Sequence, residues 1–207
     1  MKTTIKLLVV FALVLAVFSQ STTASAGGQF KLRGKIADAF FFSVDPSGCI
    51  FTDVGVFPSE DVSGSPPGPA GSHSGVGMFI SVFDACNGIQ LLAADGGTGL
   101  ADSDFQVFGQ LESAILSAEV PLFDYVSGTP FNVFVVLSWT GNGPLTRESS
   151  SFHFDSPGCK FHSRFRGTFR SAEVSGVVSD GVTNFTPELG GGRIGNVRNA
   201  DLTIGCN

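Results

Sequence analysis

Short runs of β-branched and aromatic residues recur along the chain, and each run ends in residues that reverse the backbone. Met78–Phe83 and Phe131–Leu137 are two such runs, and Asn87-Gly88, Ser127-Gly128 and Asp180-Gly181 are typical turns. Glycine and asparagine adopt positive φ at low cost, which lets a strand fold back on its neighbour. No segment sustains the apolar period of a capped amphipathic helix. The sequence therefore predicts an all-β domain of about ten antiparallel strands, either a β-sandwich or a flattened β-barrel.

One nine-residue pattern occurs three times, in Lys31–Ala39, Gln106–Ala114 and Arg164–Ala172. After its first residue, each copy reads apolar-x-Gly-x-apolar-x, followed by Asp or Ser and then Ala. The apolar alternation changes phase at this last pair, and a two-residue period changes phase only where a residue is inserted. We therefore expect three long strands, each bulged at its Asp-Ala or Ser-Ala pair. The glycine of each copy would let a neighbouring strand or a bulky side chain approach closely.

The first 26 residues have the features of a signal peptide. Two lysines precede the apolar stretch Leu7–Phe18, and Ala24-Ser25-Ala26 presents the small residues that signal peptidase prefers. The apolar stretch is much shorter than the roughly 20 residues that a membrane-spanning helix needs. We expect cleavage after Ala26, a secreted or periplasmic protein with no membrane span, and a single β-rich domain over residues 27–207.

Four cysteines are candidates for disulfide bonds in an oxidising compartment: Cys49, Cys86, Cys159 and Cys206. An even number allows two disulfides in any of three pairings, which the sequence does not separate. No Cys-x-x-Cys pair is present, and this excludes a zinc ribbon or a thioredoxin-like motif.

Two features of composition predict where loops and aromatic rings lie. Residues 58–75 are rich in Pro, Gly and Ser, so we expect a long surface loop there. The chain has 21 Phe but one Trp and one Tyr. Secreted sugar-binding modules usually expose Trp and Tyr, whose polar atoms stay hydrated, whereas Phe has no polar atom to offer. We therefore expect most of the Phe rings in the core.

The charge of the chain bears on its partners. There are 12 Lys and Arg against 18 Asp and Glu, and loss of the signal peptide would remove two of the lysines. Nucleic acids and anionic membranes need clustered basic residues, so we expect neither as a partner, and an extracellular protein or a small ligand instead. The local basic cluster, which could bind anions weakly, comprises Lys160, His162, Arg164, Arg166 and Arg170.

The densest group of polar residues lies in 151–165. If Ser156–Cys159 is a four-residue hairpin loop, Asp155 pairs with Lys160 and His153 pairs with His162. Two facing imidazoles beside the Asp155 carboxylate could bind Zn²⁺ or Cu²⁺, with His73 as a further ligand if its loop folds over. The simpler interpretation is the solvated face of an amphipathic hairpin with a weak surface ion pair, because no third firm ligand is evident.

A second candidate cation site is the Gly-rich segment that contains Asp95, Asp102 and Asp104. Three carboxylates in a loop can supply the oxygen ligands that calcium prefers. The spacing does not match an EF-hand, and the repeat that glycine-rich calcium motifs need is missing. A soluble turn between strands is the simpler interpretation.

No residues can be assigned to catalysis. Gly71–Gly75 has histidine where the nucleophile elbow of a serine hydrolase has serine. The sequence favours a secreted, non-enzymatic β-module with a binding or structural role and no cofactor. The alternative is a metal-binding protein or a metal-dependent hydrolase that uses the His153/His162 hairpin with zinc, or a calcium-binding protein. A third hypothesis is a barrel that holds an apolar ligand in a Phe-lined cavity.

Overall fold

The computed structural model describes residues 28–64, 71–156, 159–186, 188 and 190–206. The predicted signal peptide, residues 1–26, lies outside this part of the chain. In the described part, no helix is long and apolar enough to cross a membrane. The strands are β1 (Gly28–Val44), β2 (Ile50–Gly64), β3 (Gly71–Asp84), β4 (Ile89–Leu100), β5 (Phe105–Phe108), β6 (Ser113–Asp124), β7 (Thr129–Gly141), β8 (Thr146–Ser156), β9 (Cys159–Ser179) and β10 (Gly190–Cys206).

The strands form one antiparallel sheet that closes in a ring, with the shape of a flattened barrel. The order around the ring is β10-β1-β2-β3-β4-β6-β7-β9, and pairing of β9 with β10 closes it. The short β5 pairs with β6, and β8 pairs with β9. The predicted all-β class with about ten strands is therefore confirmed, and the ring corresponds to the barrel alternative.

Apolar side chains fill the inner face of the ring. Along β7, Val133, Val135, Leu137 and Trp139 are buried, while the residues between them are more exposed. The Trp139 indole donates a hydrogen bond of 2.8 Å to the backbone oxygen of Asp38, which satisfies its buried polar atom. The barrel interior is thus a packed core of mainly Val, Leu, Ile and Ala side chains.

The phenylalanines do not follow the expectation that most are core residues. In the described part of the chain, the buried ones are Phe41, Phe57, Phe105, Phe169 and Phe185. Many others lie on the outer face of the ring, where more than half of the surface of Phe42 and Phe134 is exposed. The reason is alternation, since a barrel strand packs only every second side chain inward. A Phe-lined interior cavity therefore has no support in this core.

Three strands of the ring, β1, β9 and β10, continue beyond one of its ends. Together with β8 they form an extension that we call the arm. It consists of β8, residues 159–169 of β9, residues 195–206 of β10 and residues 28–34 of β1. The pairing of β7 with β9 ends at Gly141 and Ala172, and β8 takes over beside β9 at Phe169. On the other side, the pairing of β1 with β2 starts only at Lys35. The long strands β1, β9 and β10 therefore belong to both the barrel and the arm.

Two copies of the nine-residue pattern are long strands, but the predicted bulges are misplaced. β1 and β9 lie on either side of β10, and Gly34 and Gly167 both pair with Val197. The inserted residue is Arg198 of β10, and the registers of β1 and β9 are continuous at their Asp-Ala and Ser-Ala pairs. The apolar pattern changes phase because the buried face changes. Phe169 is buried on the outer face, whereas Ala172 is buried in the barrel.

The glycine of the third copy does permit the close approach that was expected. A Cβ atom at Gly167 would lie 2.6 Å from the Phe169 ring. The second copy is not a long strand. It folds into the β5–β6 hairpin, with Gly109 and Leu111 at φ of 57° and 59° and the Glu112 N–H bonded to the Phe108 oxygen. The prediction of three bulged long strands is therefore wrong for this copy.

The long surface loop predicted over residues 58–75 is also wrong for most of its length. β2 and β3 pair through Pro58 with Val76, and again from Val62 with His73 to Gly64 with Gly71. A register shift after Ser59 absorbs the irregular sequence. The segment whose composition resembles a loop is therefore mostly strand in the part that the structure describes. Residues 65–70 lie outside the described part.

One disulfide is present in the described part of the chain. It joins Cys49, in the turn before β2, to Cys86, in the turn after β3, with Cα atoms 5.3 Å apart. This bond selects one of the three possible pairings if two disulfides form. The side chains of Cys159 and Cys206 lie outside the described part, but their backbones are paired directly in the β9–β10 ladder.

Candidate functional site

The β8–β9 hairpin has the register that the sequence predicts. His153 pairs with His162, Asp155 pairs with Lys160, and Ser156 pairs with Cys159. The centroids of the two imidazole rings are 5.7 Å apart, and the Asp155 carboxylate lies 3.2 Å from His153 Nε2. The hairpin therefore brings together all three side chains that the sequence nominates as zinc ligands.

Basic side chains collect on the histidine side of this hairpin. In β9 the residues of that face are Lys160, His162, Arg164 and Arg166, all exposed. From β8, Arg147 reaches the same face because it pairs with Thr168, two residues beyond Arg166. From β1, Arg33 has the same parity as Lys35, which lies in the row of Asn196 and Thr168. We call the set Arg33, Arg147, Lys160, Arg164 and Arg166 the cationic face.

The cationic face is an extended array. Alternate residues of a strand are about 6.6 Å apart, so Lys160 and Arg166 mark a row of about 20 Å along β9. Adjacent strands are about 4.8 Å apart. Arg147 lies one strand from this row, in β8, and Arg33 lies two strands from it on the other side, in β1. Asp155 lies on this side of the arm, and Asp201 is the backbone partner of Arg164 in the β9–β10 ladder. In the described part of the chain, none of the five basic side chains forms an ion pair.

Two further basic residues lie where this side of the arm meets the barrel. Lys35 is held by the Glu60 carboxylate at 3.4 Å and by the Val107 backbone oxygen at 3.3 Å. Arg170 has a buried Nε atom without a hydrogen-bond partner. It occupies the row of Ala37 and Ile194, which are barrel core residues. The basic array thus runs from the arm to the rim of the packed interior.

A buried ion pair connects the barrel to the arm on the opposite side of the sheet. The carboxylate of Asp38, only 4% exposed, accepts bonds of 3.0 Å from the Arg193 guanidinium. Arg193 also lies 3.5 Å from the Glu148 carboxylate of β8 and over the Phe169 ring. Burial raises the pKa of the Asp38 carboxyl, and the charge and hydrogen bonds of Arg193 act against this shift. This group fixes β8 to β1 and β10.

The predicted metal sites are only partly assembled. Among the described residues, no group of three or more His, Cys, Asp or Glu side chains is arranged to hold a metal ion. The zinc candidates form a pair of histidines with Asp155 on one of them, and the side chain of His73 lies outside the described part. The Phe152 and Phe154 rings on the other face of the hairpin are about half exposed, so the hairpin does not cover the core.

The three carboxylates proposed for calcium do not share a loop. Asp95 lies within β4, which continues as strand to Leu100, and its carboxylate accepts a bond of 2.7 Å from the Tyr125 hydroxyl. Asp102 and Asp104 follow in the turn, where Asp104 accepts the Ala101 N–H at 2.9 Å. Five residues of strand put Asp95 roughly 16 Å from the start of that turn. The predicted Gly-rich loop is therefore strand over most of its length.

A shallow groove of about 400 Å³ lies at the β6–β7 turn, away from the arm. Two acidic residues, Asp124 and Asp180, line it. Asp124 is 6% exposed and accepts backbone N–H groups of Ala93, Val126 and Ser127 at 3.0–3.2 Å. Burial acts to raise the pKa of Asp124, but these hydrogen bonds outweigh it, and the pKa is lowered. The Asp124 carboxylate therefore holds the turn, and the Asp180 carboxylate accepts the N–H groups of Val182 and Thr183 at 2.9 and 2.7 Å.

Sequence reasoning finds the β9 part of the cationic face but misses Arg33 and Arg147. These residues are far from β9 along the chain, and only pairing in the sheet brings them to it. The alternation of basic residues in 31–35, two positions apart, is the signal that could have indicated a cationic strand face.

Known proteins do not show the family of this chain. No family model matches the chain, and no curated protein matches it. The chain is similar to a solved crystal structure from Nitrosomonas europaea whose description names AttH, with 12% identity and a TM-score of 0.28. That similarity covers 84% of this chain and 52% of the other, so the chain spans about half the length of that structure. A similarity at this TM-score does not bear on function.

Proposed function

We propose that this protein is an exported, non-enzymatic β-barrel module that binds an anionic polymer through its cationic face. The observation that carries the proposal is the concentration of charge. Residues 27–207 contain ten Lys and Arg, and five of them lie on one side of the arm without an ion pair among the described residues. Export is supported by the Cys49–Cys86 disulfide, because such bonds persist in oxidising compartments.

The geometry favours a linear ligand over a small one. A row of about 20 Å with a basic side chain at most alternate positions offers repeated contacts to a chain with regularly spaced negative charges. A small ligand would instead be expected to enter a concave pocket lined by apolar groups, and the cationic face is an exposed sheet surface. The rest of the molecule is acidic, so the field that attracts such a ligand is local to the arm.

The partner class that we propose is an acidic polysaccharide with sulfate or carboxylate groups. Single-stranded nucleic acids stack on aromatic side chains. The phenylalanine rings of the hairpin, Phe152, Phe154, Phe161 and Phe165, lie on the opposite side from the cationic face. Recognition through charge also agrees with the scarcity of Trp and Tyr, since ring stacking on sugars is not required. The ligand class thus differs from the protein or small ligand expected from overall charge.

The experiment is a binding titration of residues 27–207 with dextran sulfate and polygalacturonate, with neutral dextran as the negative control. We expect the double substitution Arg164→Ala/Arg166→Ala to weaken polyanion binding by roughly tenfold or more at low salt, and to lower the salt dependence. The matched control Ser103→Glu/Val182→Glu changes the net charge equally at exposed positions outside the arm, and should bind nearly as the parent does.

Three outcomes would overturn the proposal. An equal loss in both double variants would mean that net charge, and not the cationic face, controls binding. The absence of binding to either polyanion would remove the function altogether. Binding of a DNA duplex with higher affinity than either polysaccharide would replace the partner class by nucleic acid.

A second candidate function is metal binding at the pair His153 and His162, with Asp155 beside His153. The ring separation of 5.7 Å and the contact of 3.2 Å between His153 and Asp155 favour it. Zinc titration by calorimetry should then give one ion per chain, and His153→Ala should abolish it. Ser151→Ala, on the same face of β8, is the control. No heat of binding at millimolar zinc would remove this candidate.

A further inference from the structure

Strand β8 forms an open edge of the arm. One side of this strand of 11 residues pairs along its whole length with β9, from Thr146 with Phe169 to Ser156 with Cys159. In the described part of the chain, no strand pairs with its other side. Such an edge presents a row of free backbone N–H and C=O groups, which can be paired by another strand.

The middle of this edge has none of the usual protections against pairing. Proteins block open edges with proline, lysine, inward-pointing charges or a bulge. Residues 149–154 read Ser-Ser-Ser-Phe-His-Phe, without proline, lysine or carboxylate. The β8–β9 register is also continuous, so no bulge twists the edge away. The exposed backbone of β8 is therefore available to a partner strand.

The sequence of β8 is complementary to itself around Ser151. If two copies of β8 run antiparallel with Ser151 opposite Ser151, Arg147 of each copy lies opposite Asp155 of the other. Directly opposite residues of antiparallel strands point to the same side of the sheet, so each pair of opposite charges can meet. Shifting the centre to Ser150 or Phe152 removes the carboxylate from its position opposite Arg147. Charge thus selects a single symmetric register.

We propose that the partner of this edge is a second copy of the same chain, which pairs through β8 about a twofold axis at Ser151. The interface is isologous, since the same strand is used by both copies. The two arms become one continuous sheet, and because opposite residues share a side, the two cationic faces lie next to each other on that sheet. The dimer does not depend on the proposed polysaccharide ligand.

The test is sedimentation of residues 27–207 over a range of concentrations, without polysaccharide. We expect a reversible dimer. Arg147→Asp puts two carboxylates opposite each other at both ends of the interface, and Asp155→Arg does the same with two guanidinium groups. Each single variant should dimerise at least roughly tenfold more weakly than the parent, because like charges opposite each other destabilise strand pairing.

Two combinations make the test specific. The double variant Arg147→Asp/Asp155→Arg restores opposite charges and should recover the dimer. An equimolar mixture of the two single variants should form a heterodimer, since every cross-pair in it is again opposite in charge. The control is Arg198→Asp with Asp102→Arg, which exchanges charges at exposed positions outside β8 and should leave dimerisation unchanged.

A parent protein that stays monomeric at all concentrations would refute this interface. Dimers that are insensitive to the single variants, or a double variant that does not recover, would place the contact elsewhere on the molecule. Because the measurement contains no polyanion, its failure leaves the proposed ligand untouched, and failure of polyanion binding leaves the dimer untouched.

Discussion

The barrel and the arm share β1, β9 and β10. Along β9, the same side of the strand is apolar and buried in the barrel but basic and exposed in the arm. In β9, Ala172, Val174 and Val178 point into the barrel and are buried. Towards the start of the strand, the residues of the same alternation are Arg166, Arg164, His162 and Lys160, and all are exposed. The alternation of side chains along β9 is uninterrupted, because the inserted residue of the β9–β10 ladder lies in β10. The chemistry changes where the ring ends.

This contrast explains how one strand can serve stability and recognition. Inside the ring, every inward side chain meets those of the opposite strands, so apolar residues are favoured. Beyond the ring there is no opposite strand, and charged residues keep their hydration at little cost. Hydrogen bonds with neighbouring strands hold the arm in place, and the Asp38–Arg193–Glu148 group attaches it to the barrel. The arm is therefore a hydrogen-bonded extension of the barrel whose basic side chains on this side are exposed.

The largest difference between the two regions should appear when an aromatic residue is truncated in each. Trp139→Ala removes a side chain that is 1% exposed, packs on Phe105 and donates to the Asp38 oxygen. It should lower the free energy of unfolding by about 3–5 kcal/mol. Phe154→Ala in the arm, where the ring is 53% exposed, should cost less than about 1 kcal/mol. Urea denaturation measures both, and equal losses would mean that the arm is packed like the barrel.

Disulfide removal should give the next largest effect, again in the barrel. The Cys49–Cys86 bond ties two turns at one end of β2 and β3. Replacing both cysteines by serine should reduce the free energy of unfolding by about 2–4 kcal/mol. Thermal unfolding under non-reducing conditions measures the loss. An unchanged stability would mean that the bond does not form in the protein.

The arm offers the matching test for the other two cysteines. With Cys49 bonded to Cys86, the remaining pair is Cys159 with Cys206, whose backbones are direct partners in β9 and β10. Such partners have Cα atoms about 4.5–5.5 Å apart, within the range that a disulfide can bridge. Peptide mapping without reduction should recover this linkage. Free thiols, or a link from either residue to Cys49 or Cys86, would contradict the prediction.

Local patterns in the sequence predict the hairpin well and the sheet less well. The loop predicted at Ser156–Cys159 and the alternation around it are enough to give the register of His153 with His162, which the structure reproduces. Ring closure depends on pairing between β1, β10 and β9, which are far apart in the chain. The position of Arg147 beside β9 has the same origin. A local pattern gives the faces of a strand but does not identify its neighbours.

The repeated pattern shows the same limit. Its change of phase predicts a bulge, but a change of the buried face produces the same pattern in a single sequence. Ile36 and Phe169 belong to one face and Ala37 and Ala172 to the other, and only the end of the ring decides which face is covered. In the second copy, turn formation at Gly109 overrides the strand pattern. The loop predicted over residues 58–75 is wrong outside residues 65–70, because small residues fit a strand as well as a turn.

The smallest effects should come from two buried carboxylates, Asp38 at the junction with the arm and Asp124 at a barrel turn. The pKa of Asp38 is raised by burial, against the effect of Arg193. Between the ordinary pKa of Asp and this raised pKa, the carboxyl is therefore protonated in the folded state and ionised in the unfolded chain. Its contribution to stability is present at low pH and is lost as the pH rises through the raised pKa. The pKa of Asp124 is lowered, because its hydrogen bonds outweigh burial. Its contribution is present above the ordinary pKa of Asp and is lost as the pH falls.

The two substitutions to asparagine should therefore shift stability with pH in opposite directions. Relative to the parent, Asp38→Asn should become more stable as the pH rises from about 3 to about 7, because it has no carboxyl to ionise in the buried junction. Asp124→Asn should become less stable over the same interval, because it lacks the charge that the turn N–H groups stabilise. Urea midpoints across this range measure both slopes. Slopes of the same sign would mean that the junction accepts the Asp38 charge as readily as the turn accepts that of Asp124, and that Arg193 compensates fully for the burial of its partner.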